Sequence, residues 1–425
     1  MLSTVEHLHR KLHKRWVPKW YGAFCDEKNG GFHERLGHSF KPVDVGYKRL
    51  VTQCRQLAVY AHASTVKGGK DYSASLEDRF RFLVDHYQIA NNPGSWRFSI
   101  TNDGRPKDET FDLYGHAFVI FTMCHLARGL RDESDLPIKA REVAGQTLGF
   151  INQNFRLKNA PGFAEALDQN HQPLDIQRRQ DPHMHLFEAC LFAHEVWGDS
   201  KWMEMADEIL ELFRNYFYSA ENNRLYEFFD AGLKPHGEDG HRVKPGHYFE
   251  WVWLLQKYMR LKDTPDPALS DISKKLLIKG NSHGYDTDYG GIYDFTDHDG
   301  HVLEETKRLW PFAEALKANA LMLDCWHDRD ELKDRMAEMV RVFETGYIEE
   351  RGFWTETLNR DLTPATDFMP GTTPYHLYFG IEETLSYLQS RGKSKSLRSL
   401  PMALIYNTRR GLSGLARKLF KTPNF

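Results

Sequence analysis

One short pattern recurs six times along the chain at near-equal spacing, and no other feature restricts the fold as strongly. Its copies read "GGFHERL", "GSWRFSITNDGRP", "GFAEALDQNHQP", "NRLYEFFDAGLKP", "GGIYDFTDHDG" and "GFWTETLNRDLTP". Each joins a glycine or turn residue, an apolar anchor, a short alternating run and a closing Asp, Asn, Gly or Pro, the composition of a small hairpin. The anchors Phe32, Trp96, Phe163, Leu225, Ile292 and Phe353 are separated by 64, 67, 62, 67 and 61 residues. A fixed period of this size marks a chain made from one repeated supersecondary unit.

About 64 residues holds two helices of ordinary length plus their connections. Apolar periodicity predicts helices over 3–25, 46–66, 74–90, 111–131, 136–155, 183–197, 199–217, 244–261, 265–280, 306–327, 329–346 and 374–391. Twelve helices make six antiparallel pairs, which can close into a ring of inner helices sheathed by outer ones. An open superhelical solenoid is the structural alternative. The expected fold is all-α, an (α/α)6 barrel over residues 1–390. The hairpins are expected at the end opposite its concave face.

Composition narrows the function. Of the 425 residues, 41% are hydrophobic and 13% aromatic, enough for a large core and too many for a disordered chain. A net charge of −3 gives no electrostatic case for a nucleic-acid partner. No run of about 18 apolar residues is present, so no membrane span is expected. The start, "MLSTVEHLHRKLHKRW", lacks the apolar core of a secretory signal. Cys25, Cys54, Cys124, Cys190 and Cys325 are scattered. They form neither a disulfide framework nor a zinc cluster, and free thiols suit a cytoplasmic setting. Residues 391–425 carry nine Lys/Arg and no Asp or Glu. Such a basic extension could lie on the acidic body, mediate self-association into a homo-oligomer, touch anionic membrane or remain a solvated tail.

A second series keeps the same period. The starts of alternate helices read "VTQCRQLAVYA", "FDLYGHAFVIF", "DPHMHLFEACLF", "PGHYFEWVWLL", "KRLWPFAEALKA" and "TPYHLYFGIEE". They place Arg55, Tyr114, His185, His247 with Glu250, Trp310 with Glu314, and His376 near helix N-termini. His185 to His247 is 62 residues and Glu250 to Glu314 is 64. Residues in phase around a closed ring point at one axis, so six helix starts become one polar pocket. Any one of them alone would also suit a capped core helix.

Histidine titrates near neutrality and serves as acid or base, while tryptophan faces and carboxylates suit a sugar. A catalytic metal has weak support: "HMH" puts His183 and His185 on different helix faces, and no HExxH or cysteine cluster occurs. No nucleophile elbow is present. A glycoside hydrolase using Glu250 and Glu314 is the rival within the same fold, and a non-catalytic sugar-binding protein is the rival of another class.

The motifs "RLVTQCR", "DLYGHAF", "HMHLFEA", "PGHYFEWVWLL", "KRLWPFAEALKA" and "PYH", in order over residues 1–390, resemble the N-acylglucosamine 2-epimerase superfamily of (α/α)6 sugar epimerases and isomerases. That resemblance implies that His247 and His376 are the catalytic pair. It also implies sugar contacts from Arg55, Tyr114, His185, Glu250 and Trp310, with no metal or cofactor and a monosaccharide substrate. Leu309, Trp310 and Phe312 stand where the disaccharide epimerases carry paired tryptophans and a glutamine, and Asp181 stands where they carry asparagine. Within the family the motifs look most like the D-mannose isomerases, with a sulfoquinovose isomerase a close sibling and an N-acetylhexosamine or cellobiose 2-epimerase further off. The chemistry so implied is mannose–fructose isomerisation through a cis-enediol. His376 moves the carbon-bound proton, His247, steered by Glu250, opens the ring, and Arg55 stabilises the enediolate.

Overall fold

The computed structural model describes residues 1–129, 135–323 and 329–394. Its helices are α1 (Leu2–Lys11), α2 (Val17–Phe24), α3 (Leu50–Ala63), α4 (Ser73–Tyr87), α5 (Leu113–Gly129), α6 (Leu136–Phe150) and α7 (Asp181–Trp197). They continue as α8 (Ser200–Leu212), α9 (Pro245–Lys262), α10 (Pro267–Lys279), α11 (Leu309–Met322), α12 (Arg329–Val342) and α13 (Pro374–Ser394). A π turn over Leu12–Trp16 joins α1 to α2 as one outer element, and π turns also end α6, α8, α10 and α12. Each of these last turns carries side chains inward; Phe155 and Phe217 are fully buried there.

The inner ring is α3, α5, α7, α9, α11 and α13. Each packs on the next, and α13 packs back on α3, so the ring closes. An open solenoid is excluded. Position explains sequence here. Inner helices are covered by two ring neighbours and an outer helix, so α3 is buried along almost its whole length and shows little amphipathic contrast. Outer α8 buries Trp202, Met203, Ala206, Ile209 and Leu210 and exposes Lys201, Glu204 and Glu211, a single apolar stripe at helical spacing.

Five repeat anchors pair as expected, across Cys25–Phe32, Gln88–Trp96, Arg156–Phe163, Tyr218–Leu225 and Tyr285–Ile292. In the sixth the partner of Ile348 is Trp354, one residue beyond the expected Phe353. That register makes the last separation 354 − 292 = 62 residues. Two adjacent aromatics hid the register, since both are buried.

A strand of two or three residues lies at or just upstream of the start of every inner helix. Lys48–Arg49 pairs with Ser99–Ile100, Phe111–Asp112 with Ala166–Leu167, and Arg178–Arg179 with Phe228–Phe229. Arg242–Val243 pairs with Phe295–Asp297, Lys307–Arg308 with Thr357–Leu358, and Phe368–Pro370 returns to Arg35–Gly37. The hairpins therefore form a second closed belt at the N-terminal ends of the inner helices. This corrects the expectation that they lie opposite the concave face. Each hairpin links the C-terminal end of an outer helix to the N-terminal start of the next inner one, so it must share the end from which the site residues project.

Helix α13 runs on to Ser394, past the expected boundary at 390, and the rest of the basic extension lies outside the described residues. Cys25, Cys54, Cys124 and Cys190 are free and buried, and Cys325 lies outside the described residues. No described helix is long and apolar enough to cross a membrane.

Candidate active site

The stretch "PGHYFEWVW" opens α9. Proline suits the first helical turn, where its missing N–H costs nothing, and Gly246 meets a packing demand. A Cβ at Gly246 would collide with the Trp310 ring and with Pro311 on α11. His247 and Glu250 project from the first two turns of α9 and are both buried.

His247 Nδ1 lies 2.7 Å from Glu227 Oε2. A carboxylate can only accept, so Nδ1 donates to Glu227, with the Gln180 side-chain nitrogen also 2.8 Å from Nδ1, and Nε2 is turned toward the pocket. Nε2 faces Asp181 Oδ1 and Glu250 Oε2, each at 3.7 Å. His376 is held alike, Nδ1 donating to Glu314 Oε1 at 2.9 Å. Between them lies the half-buried indole of Trp310, its ring 5.2 Å from that of His247 and 5.5 Å from that of His376. Two imidazoles thus flank one aromatic face, each backed by a carboxylate.

The charges around them are sorted. Burial pulls the His376 imidazole down to about 4, against the pull of Glu314 and with a push from Arg55. It is neutral at pH 7, a base with a free lone pair. Burial resists ionisation of Glu314, but Lys317 and His376 hold its carboxyl down at about 2. Glu250 goes the other way: burial, then the charge of Glu314, raises it well above the carboxylate range, and its Oε2 has no hydrogen-bond partner. Two buried carboxyl groups side by side thus hold different protonation states, one poised to give a proton. His185 is clasped on both nitrogens, by Glu188 at 3.0 Å and Asp181 at 3.4 Å. Those partners outweigh burial and raise it to about 9, so it is an imidazolium. Burial opposes ionisation of Asp181 as well, yet Lys244, His185 and His247 keep it ionised.

Arg55 lies under this assembly. Its guanidinium stacks on Phe118 at 4.3 Å and Tyr375 at 4.8 Å and donates to Tyr114 Oη at 2.5 Å. No described carboxylate forms an ion pair with it, and its Nε is unpartnered. Tyr114 packs edge-on to His185 at 5.0 Å. Every residue expected at the pocket, Arg55, Tyr114, Asp181, His185, His247, Glu250, Trp310, Glu314 and His376, therefore belongs to one connected cluster.

Glu250, expected to steer His247, lies 3.7 Å from its Nε2, and the hydrogen bond that holds the ring comes from Glu227. Glu250 faces Nε2 of His247, whereas Glu227 grips Nδ1 from the fourth hairpin. Gln180 braces Glu227 at 3.1 Å and accepts from Trp251 at 2.7 Å. Sequence reasoning also missed Glu188, Lys317 and Tyr375. The first two lie three residues after His185 and Glu314, a spacing that puts them on the same helix face. Tyr375 Oη donates to Glu188 at 2.6 Å.

Glu250, Glu314 and His376 offer ligand atoms within 4.8 Å of one another, so the donor set deserves a test against a metal. The buried ammonium of Lys317, 2.5 Å from Glu314 Oε2, already supplies the positive charge. His376 Nδ1 occupies the other Glu314 oxygen. A dication would have to sit beside a buried lysine, and the donors do not suit one.

Residues 30–380 match the family model for N-acylglucosamine 2-epimerase. The chain belongs to that family. The "Mannose-6-phosphate isomerase" of Rhizobium meliloti (strain 1021) is 30% identical over 376 residues, 86% of this chain and 93% of the relative. The "D-mannose isomerase" of Pseudomonas cannabina pv. alisalensis is 27% identical over 303 residues, 67% of this chain and 71% of that one. The solved cellobiose 2-epimerase from Bacillus thermoamylovorans B4167 superposes with a TM-score of 0.81 at 18% identity, over 91% of this chain and 100% of that one; the (α/α)6 barrel is shared. The chain is a sugar isomerase or epimerase of this family.

Proposed function

We propose that the enzyme interconverts D-mannose and D-fructose without a metal, by proton transfer through a cis-enediol. The observation that carries this is His376: a neutral imidazole, its tautomer fixed by Glu314, near an arginine with which no described carboxylate forms an ion pair. His376 Nε2 takes the proton from C2 of the open-chain aldose and returns it to C1. The neutral Glu250 gives its proton to O1 and then takes up the one that O2 releases. The net change is one hydrogen from C2 to C1 and one from O2 to O1. Arg55 meets the enediolate oxygen as a preorganised cation. His247, held by Glu227, removes the O1 proton and protonates O5 to open the sugar ring. The single indole of Trp310 offers one stacking face, which suits a monosaccharide.

A second reading keeps the residues and changes the outcome. His247 and His376 flank Trp310 at similar distances, so proton return to the opposite face of C2 would make the enzyme a 2-epimerase. The protein should be incubated in heavy water with mannose, mannose 6-phosphate, sulfoquinovose, N-acetylmannosamine and cellobiose, with and without chelator, and read by NMR. Fructose is expected from mannose at an unchanged rate with chelator, with solvent deuterium at C1 in the fraction whose His376 proton exchanges before return. Epimer without ketose would establish the second reading, monosaccharide release from cellobiose would establish a hydrolase, and neither product nor deuterium from any sugar would remove the catalytic proposal.

A further inference from the structure

A second cluster of histidines and a carboxylate lies away from the pocket, where the two ends of the described chain meet. Outer helix α1 packs along α13, the last inner helix, and the contact closes the seam between first and last repeats. His9 lies on α1 and His13 one turn later in the π turn, four residues apart, so their side chains share one face. Both Nε2 atoms converge on the same oxygen of Glu382 on α13, His9 at 2.9 Å and His13 at 2.5 Å. The rings lie 4.5 Å apart and tilted by 47°. The Tyr378 ring meets His13 edge-on at 5.5 Å, and its hydroxyl is tied to His62 Nδ1 at 2.8 Å, which fixes the inner wall. Side-chain exposure is 21% for His9, 5% for His13 and 16% for Glu382, so the cluster is walled on one side and open at His9.

We propose that His9, His13 and Glu382 form a structural site for a borderline divalent cation such as Zn2+, with solvent completing the coordination. Two imidazoles on one helix face and one carboxylate from another element supply three zinc ligands, the number zinc takes where a solvent molecule fills the fourth position. Tetrahedral zinc with bonds of about 2.0 Å places neighbouring ligand atoms roughly 3.3 Å apart. The observed separations need to open by under about 1 Å, and the partly exposed His9 and Glu382 have room for it. Glu382 is already ionised: burial opposes it, but His13 and His9 hold it down at about 2. A cation here replaces the hydrogen bonds to Glu382 and pins α1 to α13 across the seam. It binds only the closed barrel, because the unfolded chain has no such constellation, and so stabilises the fold.

The test uses the full chain without an affinity tag, titrated with Zn2+ by calorimetry and with Co2+ by visible absorption, alongside thermal melts. One equivalent should bind, give the visible spectrum of low-coordinate Co2+, and raise Tm. His9→Ala, the variant least able to disturb packing, should weaken binding at least about tenfold and abolish the Tm rise while the metal-free melt and sugar turnover stay as in the parent. Glu382→Gln should also lose binding. His376→Ala should keep it, which separates this site from the pocket. Absence of saturable binding overturns the proposal. So does a bound equivalent that survives His9→Ala and disappears in His376→Ala.

Discussion

His183 and His185 stand two residues apart at the start of α7, both buried, yet they have nothing in common chemically. His183 spends both nitrogens on the main chain: Nε2 accepts from Phe163 N at 3.2 Å and Nδ1 lies 3.2 Å from Arg179 O. His116 on α5 repeats that clasp, accepting from Trp96 N at 3.2 Å with Nδ1 2.7 Å from Asp112 O. In the first repeat Gln53 does the same work, bonding both Phe32 N and Phe32 O. These side chains fasten a hairpin to an inner helix. His185 has a carboxylate on each nitrogen and is a fixed cation. His247 and His376 have a carboxylate on one nitrogen and the pocket on the other. Burial is common to all five histidines, and only the last two retain a nitrogen that can move a proton. The partners, more than the burial, separate a fastener from an acid–base.

The strongest way to break this division is at His376. Replacing it with alanine should lower C2 hydrogen exchange by about 10²–10⁴, even for open-chain sugar, with the fold intact by circular dichroism. His247→Ala should cost a comparable factor on cyclic mannose and much less on a substrate supplied open. Equal losses on open-chain substrate would make the two histidines a symmetric pair, as the epimerase reading requires.

Much of this was legible because the repeat is legible. A period near 64 residues predicts paired helices, their closure and the shared direction of the six helix starts. What stayed hidden has local causes. The short strands before each inner helix, such as Phe111–Asp112, lie in windows whose apolar content suits helix equally well, and only pairing with the next hairpin decides. Glu227 was hidden because hairpins looked like scaffolding, although the repeat held the signal. Two residues after the anchor lie Glu34, Phe98, Glu165, Glu227, Asp294 and, on the corrected register, Glu356, so the position is acidic in all but the second.

That position provides a matched comparison within one molecule. Glu34, Glu165 and Asp294 each accept from the backbone N–H and from Nε of an arginine just before an inner helix: Arg49, Arg179 and Arg308. In the fourth repeat the arginine is replaced by Lys244, whose N–H still reaches Glu227 at 3.3 Å. The other carboxylate oxygen is freed for His247. Glu227→Gln should therefore lower turnover of cyclic sugar by roughly tenfold to a hundredfold, the usual cost of losing an orienting partner, with little change in Tm. Glu165→Gln should lower Tm and leave turnover per folded molecule nearly unchanged. Reversed outcomes would show that Glu227 is a fastener like its counterparts.

The smallest effects, and the most discriminating, are in how stability depends on pH. Burial lowers His183 from 6.5 to about 3, with Arg178 adding to it, and lowers His116 to about 4. Below pH 6.5 the unfolded chain takes up protons that these folded side chains refuse. Their contribution is complete above that pH and is lost as pH falls toward about 4 and about 3. The slope is at most about 1.4 kcal/mol per pH unit for each histidine. His185, raised to about 9, has the opposite slope: its contribution is complete below 6.5 and is lost as pH rises through about 9. His183→Ala should lower stability near neutrality by about 1–3 kcal/mol through the unpaired Phe163 N–H, and the deficit should shrink between about pH 7 and about pH 5. The deficit of His185→Gln should shrink in the other direction, between about pH 6 and about pH 9. Urea unfolding of the three proteins across that range measures both trends. Parallel curves would mean that the two neighbours carry the same charge, and the distinction between a backbone clasp and a carboxylate clasp would not hold.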